Sequence, residues 1–354
     1  MKKSSVVFLN KLPTGAKLSE ILGKKPQKFL IIYDSKLERN SDFKIWIKKF
    51  SFTYKVKAGE SLKSLESFPG HVKKIFRLIS PFSPRSVCVV AVGGGSIGDF
   101  AGFAASVIKR GVPLIHLPTT LLAAMDSAHG GKTALNISGF KNQVGSFYPA
   151  ESVLLMKTFF QSLPNTQIRS AYGEFAKMAL IQGDPLLKNL QGSKKLDLEF
   201  LWTQLTEVID EKWKWVKKDP YEESNVRQVL NLGHSLGHVL EAYYGLPHGL
   251  AVGQGLIFAV KWSHHRGYMA ADVKESLLEL LIQKMGFLSP ESFVKKHKKL
   301  TASKLMKFIT EDKKMVDARR LNFVFLEKPG IPFVKKVSIH SFITETQRQG
   351  WTQV

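Results

Sequence analysis

Residues 86–99 read SVCVVAVGGGSIGD. An apolar run of this kind, closing on a glycine cluster, is how a strand buried on both faces of a parallel sheet turns into a helix. Gly93, Gly95 and Gly98 keep the G-x-G-x-x-G spacing, and Phe100 to Ile108 can form the helix that follows. Such a turn lets backbone N–H groups approach a pyrophosphate at a helix N-terminus. The same glycines also fit a tight structural turn. A standard dinucleotide fingerprint places an acidic residue about 20 positions on. Here residues 116–122 read HLPTTLL, so Asp34, at the end of an earlier apolar run, is the alternative ribose partner.

Outward from this stretch the pattern repeats. Phe29 to Tyr33 (FLIIY) ends in Asp34, and Val112 to Leu117 ends in Pro118-Thr119-Thr120. Continuous apolar runs with polar groups at their carboxyl ends read as buried parallel strands. From about Leu163 the texture becomes helical, as in Gln167 to Ile181, Leu198 to Val216 and Ala271 to Met285. The expected architecture is an α/β dinucleotide-binding, Rossmann-like N-terminal domain, residues 1–162, followed by a mainly α-helical C-terminal domain, residues 163–354. No internal repeat or low-complexity linker interrupts it.

With 354 residues and 44% hydrophobic content the chain exceeds one ordinary core,. Its one cysteine, Cys88, excludes a disulfide framework and a cysteine-based zinc site,. The apolar stretch Val6 to Leu9 is too short for a signal peptide, and no segment reaches the roughly 18 apolar residues of a spanning helix. A soluble, cytoplasmic protein is expected, with no membrane partner. The net charge of +23 calls for nucleic acid, an acidic membrane surface or an anionic small substrate,. The densest basic run, Lys295 to Lys299 with Lys304 and Lys307, lacks interleaved aromatics and any nucleic-acid module, so it reads as a solvated helix face.

Three further stretches carry chemistry. Residues 231–242 read NLGHSLGHVLEA, and His248 follows. His234 and His238 lie one helical turn apart, a metal-binding spacing, and His248 could return a third nitrogen from a Leu246-Pro247-His248-Gly249 turn. In RSAYGEFAK (169–177), Glu174 and Lys177 share one helix face within an apolar segment. A carboxylate there is costly unless it is ion-paired or bound to a metal. In Asp126 to Thr133, Gly130 and Gly131 precede Lys132, and Lys141-Asn142 follows, an arrangement that brings an ammonium close to an anion.

Taken together, GGGSIGD (93–99), KRGVPLIHLPTTLLAAMDSAHGGKTALN (109–136), KNQVGSFYP (141–149), RSAYGEFAK (169–177) and NLGHSLGHVLEA (231–242) closely resemble the 3-dehydroquinate synthases, from about Asp34 to Gly330. The resemblance implies Glu174, His234 and His248 as ligands of Zn2+ or Co2+. It implies NAD at Asp34, Glu60, Lys63, Gly94, Gly95, Asp99, Thr119, Thr120, Asp126, Lys132, Lys141 and Ser162. It places substrate at Asp126, Lys132, Asn142, Lys177, Lys212, Arg227, Asn231, His238 and Lys314 (or Lys313), with catalytic roles for Lys132, Lys177, Lys212, Asn231 and His238. Arg110 matches an arginine that reaches a neighbouring subunit, which implies a homodimer. The implied substrate is an anionic sugar phosphate, 3-deoxy-D-arabino-heptulosonate 7-phosphate, whose carboxylate and phosphate need Lys and Arg. In the family's reaction NAD transiently oxidises a hydroxyl, phosphate leaves, the hydride returns, and an aldol closure gives 3-dehydroquinate.

Two positions depart from the pattern. Leu250 stands where the family usually has a Glu able to orient the metal-binding histidine, and His129 stands where a small apolar residue is usual. Rival readings are a related cyclase of deoxyinosose or valiolone type, a metal-dependent polyol dehydrogenase, or a nucleic-acid-binding protein. Lys212, Arg227 and Asn231 fit the dehydroquinate pattern, and the two non-cyclase rivals leave either the anion-binding cations or the histidines and Glu174 unexplained.

Overall fold

The computed structural model describes residues 1–23, 28–297, 300–310, 315–317 and 319–353. The chain divides into two units, Met1–Leu163 and Pro164–Val354. Lys313 and Lys314 lie outside the described residues.

The first unit holds strands β1 (Ser5–Phe8), β2 (Lys28–Asp34), β3 (Phe52–Val56), β4 (Val87–Gly93), β5 (Leu114–Pro118), β6 (Lys132–Ile137), β7 (Phe140–Phe147) and β8 (Ser152–Leu155). Its helices are α1 (Gly15–Leu22), α2 (Ser41–Ile47), α3 (Phe68–Ile79), α4 (Gly95–Val107) and α5 (Lys157–Gln161). Six strands form one parallel sheet in the order β1-β8-β5-β4-β2-β3. Every residue of β4 is buried, as an interior strand covered on both faces requires,. The strands run a residue beyond their apolar runs because the backbone ladder continues, with Gly93 paired to Pro118. The N-terminal segment, in which the sequence marks no motif, supplies the edge strand β1.

Topology places the functional ends. From β2 the chain steps outward to β3, then returns across β2 to β4 and continues to β5. The direction of winding therefore reverses between β2 and β4, and in open α/β sheets the crevice at the carboxyl ends beside such a reversal is where ligands bind. Asp34 ends β2 and Gly93 ends β4. Outside the sheet β6 and β7 form an antiparallel hairpin against α4. A Cβ on Gly102 of α4 would come within 2.6 Å of Thr133 on that hairpin, so glycine sets their approach.

The second unit is mainly helical: α6 (Asn165–Gln182), α7 (Leu186–Gly192), α8 (Leu198–Lys218), α9 (His234–Tyr244), α10 (His248–His265), α11 (Ala271–Glu279), α12 (Pro290–Lys296), α13 (Ala302–Thr310) and α14 (Ile339–Arg348). The expected helix from Ala271 to Met285 passes into a single π turn after Glu279. The helical texture implies no sheet here, yet β9 (Leu300–Thr301) pairs parallel with Thr352–Gln353, and β10 (Met315–Asp317), β11 (Arg320–Leu326) and β12 (Pro332–Ser338) pair antiparallel. Phe323 and Phe325 of β11 pack on Trp262 of α10, with ring centroids 4.5 and 5.2 Å away. Long-range aromatic packing of this kind decides for a strand where local pattern does not.

Helices α6, α9 and α10 meet backbone to backbone. A Cβ on Gly173 would lie 1.7 Å from the carbonyl oxygen of Gly249, one on Gly249 would lie 1.6 Å from that of Ser170, and one on Gly255 would lie 1.8 Å from that of Gly233. No side chain can relax to admit a methyl against a backbone oxygen. Gly249→Ala should therefore cost about 3 kcal/mol or more and lower Tm by roughly 10 °C. Gly192→Ala, whose methyl would meet nothing within 4 Å, should leave Tm unchanged or slightly raised,. Equal melting temperatures for Gly249→Ala and the unaltered protein would refute the backbone contact.

Candidate active site

In the first unit the glycine turn opens α4 without a side-chain cap, leaving the helix N-terminus able to receive an anion,. Gly93 is required by its own turn, since a Cβ there would come within 2.5 Å of Ile97. Gly94 borders Thr120 and Gly95 borders Ser127, with Cβ positions 3.2 Å from each side chain. Thr119 is buried, and its N–H donates to the Gly93 carbonyl at 3.0 Å, tying the end of β5 to that of β4. Asp34 accepts from the N–H of Lys36 and of Ala58 at 3.2 and 3.3 Å, which holds its carboxylate at the strand end.

Beside the turn lies a polar network. Lys63, nearly fully buried, donates to Asp99 at 2.7 Å and to the side-chain oxygen of Asn142. Asn142, at φ +56°, donates its N–H to Asn136, which in turn donates to Glu60 at 2.9 Å. Burial raises the pKa of Asp99 while the Lys63 charge opposes that rise. Asp126 lies in the π turn after β5, and Lys132 opens β6 with an exposed side chain. Lys141 is exposed on β7, and Ser162 is an exposed residue after α5. His129 is buried and donates from Nε2 to the Ala124 carbonyl at 2.8 Å, so it fastens the π turn rather than facing outward.

In the second unit three residues far apart in sequence converge. Glu174 sits on α6, His234 begins α9, and His248 begins α10 rather than lying in a turn. Their ligand atoms all lie within 4.8 Å of one another. Oε1 of Glu174 is 3.4 Å from Nε2 of His234 and 3.2 Å from Nε2 of His248. Lys177 pairs with the other oxygen of Glu174, so the ion-pair reading of these two and the metal reading are compatible. His238 lies beside them, its ring centroid 5.2 Å from that of His234.

The far sides of the imidazoles decide what this cluster can hold. Nδ1 of His234 faces the Leu232 carbonyl at 3.2 Å and Nδ1 of His248 faces the Glu241 carboxylate at 2.8 Å. Both partners only accept, so both Nδ1 atoms carry protons. In neutral rings the two Nε2 lone pairs then point at a carboxylate oxygen, an arrangement that demands a cation. Burial works against charge on His248, yet hydrogen bonds to Glu174 and Glu241 raise its pKa to about 10. Glu174 is likewise opposed by burial but held well below 4.5 by Lys177 and the imidazoles. One carboxylate and two imidazoles, with outer nitrogens anchored, suit a zinc-type ion. Binding would displace the proton that otherwise resides there.

Among the described residues the buried Lys and Arg side chains are Lys63, Lys177, Lys212 and Arg227, all four singled out from the sequence. Lys212 lies on α8 and Asn231 closes the 3-10 turn Val226–Asn231. Arg227 donates to the Pro220 carbonyl at 3.0 Å and lies 3.6 Å from Glu222. Sequence reading missed Asp219, whose buried carboxylate accepts from the N–H groups of Glu223, Ser224 and Arg227 and so shapes the loop that carries Arg227. It also missed Glu241, although its place seven residues after His234 puts it on the same helix face. Arg110 is exposed, and Lys109, Arg110 and Gly111 all have positive φ. Lys295, Lys296, Lys304 and Lys307 are exposed, as a solvated face requires.

Two family models match, 3-dehydroquinate synthase N-terminal over residues 53–170 and 3-dehydroquinate synthase C-terminal over residues 171–315. The chain is 35% identical over 325 residues to a 3-dehydroquinate synthase of Lysinibacillus sphaericus, covering 89% of this chain and 86% of that one. It is 34% identical over 280 residues to one of Pseudomonas aeruginosa, covering 77% and 73%. In fold it is similar to a 2-deoxy-scyllo-inosose synthase crystallised with carbaglucose-6-phosphate, NAD+ and Co2+, at TM-score 0.78, 23% identity and 99% of each chain. It is also similar to a 2-epi-5-epi-valiolone synthase from Streptomyces hygroscopicus with NAD+ and Zn2+ bound, at TM-score 0.80, 22% identity and 99% and 97% coverage.

His116 of β5 borders the glycine turn in a recess it shares with Gly93, Gly94, Gly98 and Ser127. Burial lowers its pKa from 6.5 to about 4. The folded state thus favours the neutral ring, and that stabilisation is complete above pH 6.5 and lost as pH falls toward 4. Between pH 7 and pH 4 the protein should lose about 3 kcal/mol more stability than His116→Gln. Denaturant titrations across that range measure the difference, and parallel curves would contradict the assignment.

Proposed function

The chain belongs to the 3-dehydroquinate synthase family, and on that premise we propose that it converts 3-deoxy-D-arabino-heptulosonate 7-phosphate to 3-dehydroquinate and phosphate. The observation that carries this reading is the convergence of Glu174, His234 and His248, from three helices, on one cation-demanding point. These three would hold Zn2+ or Co2+. Asp34, Glu60, Lys63, Gly94, Gly95, Asp99, Thr119, Thr120, Asp126, Lys132, Lys141 and Ser162 would hold NAD. When bound, NAD supplies a hydride acceptor and the metal ion a Lewis acid.

The remaining work belongs to side chains. The substrate carries a carboxylate and a phosphate, and Lys132, Lys177, Lys212 and Arg227 offer the charge-assisted hydrogen bonds that hold such groups. Three of these cations are buried, where a fixed charge acts through a low dielectric and needs no reorganisation as negative charge develops on the leaving phosphate,. Lys177 also neutralises one oxygen of Glu174, leaving the other to face the metal. Asp126, Asn142, Asn231 and His238 add neutral and acidic partners for hydroxyls, and His238 lies close enough to the metal cluster to serve the reacting oxygen. Because positioning dominates, little proton transfer is asked of the protein if the departing phosphate takes the proton itself.

The reading extends to a homodimer in which Arg110 serves a second copy. Its support is an exposed arginine raised on a turn of three positive-φ residues. A cytoplasmic location fits its single thiol, Cys88, which is buried and in no disulfide. No helix among the described residues is long and apolar enough to cross a membrane.

Purified protein supplied with the heptulosonate phosphate, NAD and zinc should release inorganic phosphate and form dehydroquinate; absence of release with metal present overturns the proposal. His234→Ala should lose bound metal and turnover together while its circular dichroism stays unchanged. Retained turnover in that variant would remove His234 from the metal site.

A further inference from the structure

We infer that Glu241 is the positioning residue of the metal site, holding His248 so that its Nε2 alone faces the ion. The inference rests on the reading of Glu174, His234 and His248 as metal ligands. Helix α9 begins with His234 and carries Glu241 two turns later on the same face,. Gly245, at φ +65°, ends the helix, and Pro247 leads into α10, which starts at His248. The chain thus doubles back to set the His248 ring against Glu241, 2.8 Å from Nδ1 to Oε2. Nε2 on the opposite edge lies 3.2 Å from Glu174. Glu241 is consequently on the far side of the ring from the ion, so its carboxylate acts through His248 and is not itself a ligand.

The two imidazoles are held differently. His234 is anchored by the backbone carbonyl of Leu232, which no substitution removes. For His248 the Nδ1 partner is a side chain. Leu250, in the first turn of α10, is apolar and cannot accept that proton, so the task falls to α9. A carboxylate on Nδ1–H fixes the tautomer and ring angle and raises the basicity of the ligating nitrogen. Both side chains are partly open to solvent, at 29% for His248 and 22% for Glu241, so this pair is not a buried structural bridge whose loss would collapse the fold.

The test is equilibrium zinc affinity, measured by competition with a chromophoric chelator, together with the visible spectrum of the cobalt-loaded protein. Glu241→Ala should bind zinc about 10- to 100-fold more weakly than the unaltered protein and shift the cobalt bands. Glu241→Gln keeps an acceptor for the Nδ1 proton but not the charge, and should fall between the two. If Glu241→Ala does not fold, Glu241→Gln decides alone: weaker zinc binding supports the inference. Zinc affinity and cobalt spectra in folded variants equal to those of the unaltered protein overturn it. Failure of the unaltered protein to bind either metal overturns the ligand reading and this inference with it.

Discussion

The second unit depends on the approach of α6, α9 and α10 through glycine. Gly173, Gly233 and Gly249 each adjoin a residue of the Glu174, His234 and His248 cluster, and at each a methyl group would collide with a neighbouring helix's backbone or, at Gly233, with Leu256 as well. Ordinary helices pack about 8–10 Å apart through their side chains. Glycine lets the helices that carry Glu174, His234 and His248 meet backbone to backbone, and from that approach the three side chains reach one point. The glycines are therefore part of the site's geometry although none has a side chain to add to it.

Once the helices are that close, electrostatics take over. A carboxylate almost fully buried beside two imidazoles would be expensive alone. Lys177 on the next turn of α6, Glu241 behind His248 and the carbonyl of Leu232 behind His234 distribute the charge around one point that favours a cation. The first unit solves a related problem with Lys63, Asp99 and Asn142, where a buried ammonium is satisfied by a carboxylate and an amide beside the glycine turn. The charge of +23 sorts along the same line: a handful of cations are buried and engaged, and the basic run around Lys295 to Lys307 is exposed where described.

The sequence by itself determined the parallel strands β2, β4 and β5, the glycine turn and the helices that carry Glu174 and His234, because apolar runs and helical periodicity are written within a dozen neighbouring residues. Its motifs named Lys177, and the family resemblance named the other buried cations of the described residues, Lys63, Lys212 and Arg227. Tertiary structure alone decided that β1 completes the sheet edge, that β10 to β12 form strands within a helical unit, and that His248 begins a helix. It also decided that Glu241 of α9 meets Nδ1 of His248 across the turn between α9 and α10. Each of these depends on contacts between residues remote in the chain, such as Phe323 on Trp262 or Glu174 on His248, and local pattern carries no record of the distance across which such partners meet.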